Sequence, residues 1–309
     1  MGKGAKVKDQ EKQKAAHDKL VAAEERAAVG LLGDFTGALR VDPGSGFRLA
    51  DVDPRATLAF AGDKLAGAAA LAACEDELAD LLERLFAEST AGSTRSVLLV
   101  VQGMDTSGKG GIMRHVISVN PQGVKAIAFK APTKEELAHH YLWRIRNALP
   151  APGQLGVFDR SHYEDVLIVR VHELVPEDIW STRYAEINEF EREIAAGGTT
   201  VVKILTHISK DEQKARLQER LDRPDKHYKY NPGDVDERSR WDDYMQAYQA
   251  VLDTTSTTGA PWYVVPADRK WYARLAVQQL LLGTLRGLDL QWPVADFDVE
   301  LEKKRLAES

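Results

Sequence analysis

The sequence predicts an α/β fold in which helices cover both faces of a parallel five-stranded sheet, a three-layer α/β/α sandwich. Two observations lead to this prediction. From residue 96 onward, short apolar runs of strand length alternate with stretches of helical periodicity, and such alternation favours a parallel sheet covered on both faces. The first of these runs also ends in a glycine-rich turn directly before a helix, as in phosphate-binding loops.

Before the sheet, the chain forms a preamble that packs on the α/β region. The lysine-rich N-terminus is expected to be a solvated tail, because acidic residues interrupt its basic ones. Helical periodicity is present over residues 20–32. A stretch rich in Pro and Gly then predicts turns over residues 41–54, and Leu and Ala spacing predicts one long helix over about residues 62–89.

The five predicted strands are apolar runs of similar length. In chain order they cover residues 96–103, 124–130, 154–160, 199–209 and 261–268. Helices are predicted over residues 109–119, 133–149 and 269–288. The second of these helices should begin at a capping box, because Thr133 precedes Glu136 by three residues.

A long, charged and largely helical segment, residues 209–256, lies between the fourth and fifth strands. It is either a solvated pair of helices or a mobile lid that excludes water from a reactive phosphate. We predict a helical lid. Together with the glycine-rich turn after the first strand, it predicts a P-loop kinase-like architecture. The predicted division of the chain is an N-terminal tail and helix (1–40), a single P-loop kinase-like catalytic domain (41–290) and a C-terminal tail (291–309).

Composition limits the classes of partner. The chain has 309 residues, 44% hydrophobic and 28% charged, with a formal net charge of −6. No global positive field therefore attracts nucleic acid, and a site for a polyanion must be a local basic patch. No apolar run has the length of a membrane span. The single cysteine, Cys74, suits the reducing cytoplasm, where we expect the protein to be.

The phosphate loop is the sequence GMDTSGKGG, residues 103–111. Its glycines let the backbone curl so that several N–H groups face one oxyanion, and the helix after it adds the positive end of its dipole. Lys109 adds a mobile positive charge. A glycine-rich turn with a surface lysine is the alternative. The predicted phosphate-binding residues of the loop are Gly103, Thr106, Ser107, Gly108, Lys109, Gly110 and Gly111.

One position of the loop is unusual. Gly110 stands where such loops carry the Ser or Thr whose hydroxyl holds Mg²⁺. Asp105 lies inside the loop, where a carboxylate among phosphates is repulsive unless a cation lies between them. We therefore predict that Asp105 is a Mg²⁺ ligand or an acceptor for a substrate proton. The alternative is a turn residue that caps local N–H groups.

A second acidic residue comes at the end of the third strand. Asp159 stands where four apolar residues have just ended, and ligands of such sheets bind at the carboxyl ends of the strands. Asp159 should therefore face the loop and hold the metal with Asp105. Arg160 can neutralise charge on the transferred group. A surface salt bridge between Asp159 and Arg160 is the alternative.

The lid carries the basic residues that the acidic average hides. Helical spacing places some of them on one face, where they could bind a chain of phosphates. The alternative is a set of solvated ion pairs with Glu212, Glu219 and Asp222. We predict phosphate binding by these lid residues and by one arginine beyond the third strand: Arg216, Arg220, Arg223, Lys226, Lys229 and Arg170.

Five segments resemble the polyphosphate kinase 2 family. They are GMDTSGKGG, NPQGVKAIAFKAPTKEELAHHYLWR, FDRSHYEDVLIVRVHE, RLDRPDKHYKYNPGDVDERSRWDDY and APWYVVPADRKWYARL. The resemblance covers about residues 40–290, and an Asp inside the loop with a Gly after its lysine is unusual among P-loop proteins.

The resemblance implies a reversible, Mg²⁺-dependent transfer of phosphate from inorganic polyphosphate to ADP or AMP. It implies catalytic roles for Asp105, Lys109, Asp159 and Arg160, and a homodimer or homotetramer. The segments TKEELAHHYLWR and SHYEDVLIVRVHE look most like members that accept both AMP and ADP. Some of those members carry Asn where this chain has Asp159.

Two other functions compete with this one. An ATP-dependent nucleoside or nucleotide kinase of the thymidylate-kinase type would share the fold, the loop and a lid, but would need fewer cations than a chain donor does. A nucleotide-dependent switch would carry an Asn-Lys-x-Asp element to read guanine, and an Asp-x-x-Gly turn after the third strand. The sequence has neither.

Overall fold

The computed structural model describes residue 14, residues 19–116 and residues 121–309, without the side chains of His115 and Val116. The predicted N-terminal tail and the end of the helix predicted over 109–119 therefore lie partly outside the described residues. No helix within the described ranges is long and apolar enough to cross a membrane.

One sheet of six strands organises the described chain, in the order β1-β6-β5-β2-β4-β3. Strands β2 to β6 are all parallel, and β1 pairs with β6 antiparallel. Their bounds are β1 Arg40–Val41, β2 Ser96–Gln102, β3 Val124–Ala128, β4 Leu155–Asp159, β5 Thr199–His207 and β6 Trp262–Pro266.

The five predicted parallel strands are confirmed, and the sixth was not predicted. Strand β1 has only two residues, Arg40 and Val41, so it offers no periodicity to recognise. It forms by pairing with Tyr263 and Trp262 at the edge of the sheet. Strand β2, at the centre, is buried along its whole length, which explains its continuous apolar sequence.

Fifteen α-helices surround the sheet in the described residues. Helix α1 covers 19–29, and the rest are α2 Phe35–Leu39, α3 Lys64–Ala73, α4 Glu75–Thr90, α5 Lys109–Val116, α6 Lys134–Leu137, α7 Leu142–Ala148, α8 Ile168–Val171, α9 Glu177–Trp180, α10 Arg183–Ala196, α11 Lys210–Asp222, α12 Gly233–Ser239, α13 Trp241–Thr255, α14 Lys270–Gly287 and α15 Val299–Ala307. Short 3₁₀ helices cover Leu49–Asp51, Pro121–Gly123, His162–Val166 and Pro224–Lys229.

Two helices predicted as continuous are divided. The prediction over 62–89 is wrong at Cys74, where φ −99° and ψ 0° separate α3 from α4. Three acidic residues from Glu75 onward then begin a new helix, where they favour the positive end of the helix dipole. The prediction over 133–149 is wrong between α6 and α7, although the predicted capping box of Thr133 and Glu136 is confirmed.

The helices form a layer on each face of the sheet. Helix α14 packs against α3 and α5, whereas α10 packs against β5 and α13. Helix α13 contributes buried Ala247, Val251 and Leu252 to the core. Within the segment 209–256, α11 and α12 lie beside the phosphate loop, at the carboxyl end of the sheet. This arrangement brings that loop, Asp159 and the basic end of α11 together.

Candidate active site

The phosphate loop connects β2 to α5 with a backbone that depends on its glycines. Gly103 has φ 147° and Gly108 has φ 109°, both in the region that favours glycine. A Cβ on Gly103 would lie 2.2 Å from Thr206 Oγ1 and 2.6 Å from its carbonyl oxygen. The loop is therefore seated directly on β5, where Thr206 Oγ1 also lies 2.7 Å from Ser107 Oγ.

Lys109 is the first residue of α5 and lies across the loop. Its ammonium donates to the carbonyl oxygen of Gly103 at 2.7 Å and to that of Met104 at 3.2 Å. The side chain is buried, which lowers its pKa, while the charges of Asp105 and Asp159 oppose that shift. Lys109 thus binds the loop backbone and interacts electrostatically with both predicted metal ligands.

Asp105 and Arg160 form an ion pair, with Arg160 Nη2 2.6 Å from Asp105 Oδ1. Burial alone would raise the pKa of Asp105, but Lys109 and Arg160 outweigh burial, so the pKa is lowered. Arg160 has a positive φ of 64°, and its N–H donates to the carbonyl oxygen of Val101 at 3.0 Å. This strained backbone turns the guanidinium back towards the loop.

Asp159 is the last residue of β4, in register with Val101 on β2 and Ala128 on β3. It and Asp105 line the same cavity, of about 830 Å³. Mg²⁺ is commonly bound by one or two carboxylates together with substrate phosphates, so the two side chains suit it. No cluster of three or more His, Cys, Asp or Glu side chains with metal-binding geometry occurs among the described residues.

This cavity, called here the basic cavity, is strongly positive. Eleven cationic side chains line it against three carboxylates, those of Asp105, Asp159 and Glu219. In a chain of net charge −6, such a concentration of cations creates a local field that attracts a polyanion. The cations are Lys109, Arg114, Lys130, Arg160, Arg216, Arg220, Arg223, Lys226, Lys229, Lys270 and Arg274.

All five lid cations named from the sequence line the basic cavity, but they differ in how freely they can bind an anion. Arg216 is buried and bonds the carbonyl oxygens of Thr106 (2.8 Å), Ala267 (2.6 Å) and Asp268 (3.0 Å), so most of its donors are used. Arg220 bonds the Lys229 carbonyl oxygen at 2.8 Å. Arg216 therefore binds the loop backbone as well as lining the basic cavity.

The outer lid cations lie in solvent. Arg223 is paired with Glu219 at 3.2 Å and with Asp225 at 2.8 Å. Lys226 lies 3.4 Å from the same Asp225 carboxylate, and the Lys229 ammonium lies over the Tyr228 ring. Two of the ion pairs expected as the alternative are present, Arg216 with Glu212 and Arg223 with Glu219. The third acidic residue of that alternative, Asp222, accepts from Gln218 instead. The paired arginines also line the basic cavity.

Two residues predicted to bind phosphate do not line the basic cavity. Arg170 lies over the Trp180 ring and donates to Tyr184 Oη at 3.1 Å, in a separate surface cavity of about 580 Å³. Gly103, the first residue of the loop, lies against Thr206 instead. The other residues named from the phosphate loop all line the basic cavity.

Four cations of the basic cavity were missed from the sequence: Arg114, Lys130, Lys270 and Arg274. Arg274 lies on α14 against Gly111, and both burial and the charge of Arg114 lower its pKa. Neither Arg114 nor Arg274 pairs with an acidic side chain among the described residues. Helical spacing alone could not reveal this pair, because α5 and α14 are far apart in the sequence and meet only in the fold.

A smaller cavity of about 210 Å³ lies on the other side of the Asp105–Arg160 pair. Its lining is acidic, with Glu164, Asp234 and Glu237 besides Asp105, and includes Tyr244 and Tyr248. Burial raises the pKa of Glu164, while Arg160 and Lys109 oppose the shift. Glu164 was not assigned a role from the sequence, although it lies only four residues beyond Arg160.

A parallel sheet with a phosphate loop at its carboxyl end, two carboxylates beside a lysine and a cation-lined cavity together define a P-loop phosphotransferase. The family model described as Polyphosphate kinase 2 matches residues 62–292. The chain belongs to the polyphosphate kinase 2 family.

Several relatives are similar over most of their length. The chain is 49% identical over 255 residues to the AMP/ADP-polyphosphate phosphotransferase of Meiothermus ruber, covering 82% of this chain and 94% of the relative. It is 44% identical over 231 residues to the ADP-polyphosphate phosphotransferase of Rhodopseudomonas palustris, covering 71% and 78%. The crystal structure of polyphosphate kinase 2 from Arthrobacter aurescens superposes with a TM-score of 0.85 at 56% identity, covering 87% of this chain and 95% of that one.

Proposed function

We propose that this protein transfers the terminal phosphate of inorganic polyphosphate to AMP and ADP, and catalyses the reverse reaction. The observation that carries the proposal is the basic cavity, whose eleven cations converge on the phosphate loop. A single nucleoside triphosphate needs few of them, whereas a phosphate chain carries charge along its whole length. Family membership supports the same assignment.

Both substrates are anions, so the reaction depends on charge neutralisation and position. The polyphosphate chain lies along the basic cavity with its terminal phosphate at the loop. Lys109 and the loop N–H groups bind that phosphate, and Arg160 neutralises charge that develops during transfer. An oxygen of the acceptor phosphate forms a new P–O bond as the bond to the shortened chain breaks. The acceptor oxygen is already ionised at neutral pH, so no strong base is needed.

Asp105 and Asp159 would hold Mg²⁺, the cofactor we propose. When bound, the ion offsets negative charge on the phosphates and thereby favours the approach of two anions. Asp105 suits this role because Arg160 and Lys109 keep it ionised, and because Arg160 contacts only one of its two oxygens in the described structure. The hydroxyl missing at Gly110 is then replaced by a carboxylate from within the loop.

The proposal also covers location, assembly and nucleotide preference. One cysteine in the sequence, Cys74, is buried and suits the cytoplasm. We also propose a homodimer or homotetramer, no nucleic-acid partner and no membrane partner. This chain carries Asp159 where some members that use both nucleotides carry Asn. The rates with AMP and with ADP should therefore be measured separately.

Purified protein given polyphosphate and Mg²⁺, without ATP, should convert ADP to ATP and AMP to ADP. The same protein given ATP and a nucleoside or nucleoside monophosphate, without polyphosphate, tests the thymidylate-kinase type of reaction. Product only in the second assay would overturn the proposal. GDP and GMP in the first assay then define the preference for the base.

A further inference from the structure

Thr106 is the residue of the phosphate loop with the least favourable backbone. It has a φ of 65°, a conformation that a β-branched side chain rarely adopts. Its hydroxyl is buried without a hydrogen-bond partner. Among the described residues, no acceptor takes its N–H either. Thr106 lines the basic cavity, and its N–H is therefore available to a bound anion.

Two residues on one face of α11 hold the peptide groups on either side of Thr106. Gln213 Nε2 donates to the carbonyl oxygen of Asp105 at 3.2 Å, and Arg216 Nη1 donates to that of Thr106 at 2.8 Å. Gln213 and Arg216 are three residues apart, so both reach the loop from adjacent turns. Gln213 has 0% exposure, which makes its amide a fixed donor.

This contact determines which way one peptide group faces. The carbonyl and the N–H of a trans peptide point in opposite directions. As long as Gln213 binds the Asp105 carbonyl, the N–H of Thr106 in the same peptide points away from α11. If that peptide rotated, a carbonyl oxygen would replace an N–H in a site for anions.

We propose that Gln213 is a positioning residue for phosphoryl transfer: it holds the 105–106 peptide so that the Thr106 N–H donates to the bound phosphate. The inference rests on the proposed function, because it requires a phosphate in the loop. Gln213 also accepts from Arg238 Nη1 at 3.1 Å, so it joins the loop to α12. The two contacts use opposite ends of one amide and can be separated by substitution.

Gln213→Glu removes the donor to the Asp105 carbonyl and retains an acceptor for Arg238. Arg238→Met removes the contact between α12 and Gln213, and leaves the Gln213 amide able to donate to the Asp105 carbonyl. We expect Gln213→Glu to lower kcat and the affinity for tripolyphosphate by about tenfold or more, and Arg238→Met to change either by less than about threefold. Gln213→Met, which is uncharged, should reproduce the loss. Gln218→Leu, at an exposed position of the same helix, is the matched control.

The measurements are calorimetric binding of tripolyphosphate, steady-state kcat and KM for polyphosphate, and the melting temperature of each variant. Equal losses in Gln213→Glu and Arg238→Met, or activity of Gln213→Met close to that of the parent protein, would overturn the inference. A loss of activity with unchanged tripolyphosphate affinity in Gln213→Met would do the same. If the parent protein itself neither binds tripolyphosphate nor transfers phosphate, the proposed function fails instead.

Discussion

The charged side chains in the inner and outer parts of the basic cavity have different surroundings. At the loop, Lys109, Asp105 and Arg160 are at least partly buried and contact each other or the loop backbone. Burial lowers the pKa of Lys109, whereas neighbouring charges outweigh burial at Asp105 and Arg160 and keep both ionised. At the rim, Arg223 and Lys226 pair with the exposed carboxylate of Asp225. Charges with restricted access to water interact strongly, whereas exposed ones are screened by salt. We therefore expect the inner group to determine the rate of transfer and the outer group to determine capture of the chain.

The sharpest test of this difference is Lys109→Met. Loss of the buried ammonium removes the charge that we propose to bind the transferred phosphate, so we expect kcat to fall by about 100- to 1,000-fold. The melting temperature of the variant is measured alongside, since the ammonium also binds the carbonyl oxygens of Gly103 and Met104. Lys214→Met on α11, an exposed lysine, is the control. A kcat within about tenfold of the parent value would show that the loop does not bind the reacting phosphate.

Asp105→Asn tests whether the inner pair depends on Mg²⁺. The amide is a much weaker ligand and removes the charge that Asp105 presents to Arg160, so we expect a loss of about 100-fold at ordinary Mg²⁺. Part of the loss should be recovered as the Mg²⁺ concentration rises. Titration of the initial rate with Mg²⁺ measures the effect, with Asp225→Asn as the exposed control. An unchanged Mg²⁺ dependence would contradict a metal-binding role.

The pH dependence offers a third test, since only the inner group has a strongly buried lysine. Burial lowers the pKa of Lys109 below its ordinary 10.5, so its charge is lost at a lower pH than for an exposed lysine. We expect kcat/KM, which reports the free enzyme, to fall about tenfold per pH unit on an alkaline limb below pH 10.5. Lys109→Arg keeps its charge and should remove this limb. A limb of equal pKa in both proteins would assign it to another group.

The smallest effect is expected at the rim. Arg223→Ala should raise KM for polyphosphate by about two- to fivefold at low salt and leave kcat unchanged, because its exposed charge contributes little. The increase should shrink as salt rises. Arg192→Ala, an exposed arginine on α10 that lies outside the cavity lining, is the control. An equal fall in kcat would mean that the rim also acts in the transfer step.

The sequence predicted the features that are local or that depend on the order of strands and helices. The central strands, the loop and the convergence of Asp105, Asp159 and Lys109 could be predicted, because parallel strands bring their carboxyl ends together. Arg274 could not, since its position depends on how α14 packs against α5. Arg170 was predicted to bind phosphate from sequence alone, but the fold turns it towards Trp180. Short elements such as β1 carry too few residues to show a pattern.

Strand β1 has a consequence for how much of the chain the catalytic unit requires. The family match begins at residue 62, yet Phe35, Leu39 and Val41 are buried in the core, and β1 covers the outer edge of β6. A chain beginning at residue 62 would lack β1 and so expose the edge of β6 at Trp262 and Tyr263, the two residues with which β1 pairs. Such an open strand can recruit another chain by edge-to-edge pairing. The segment ahead of the family match thus covers part of a sheet edge that could otherwise pair with a strand of another chain.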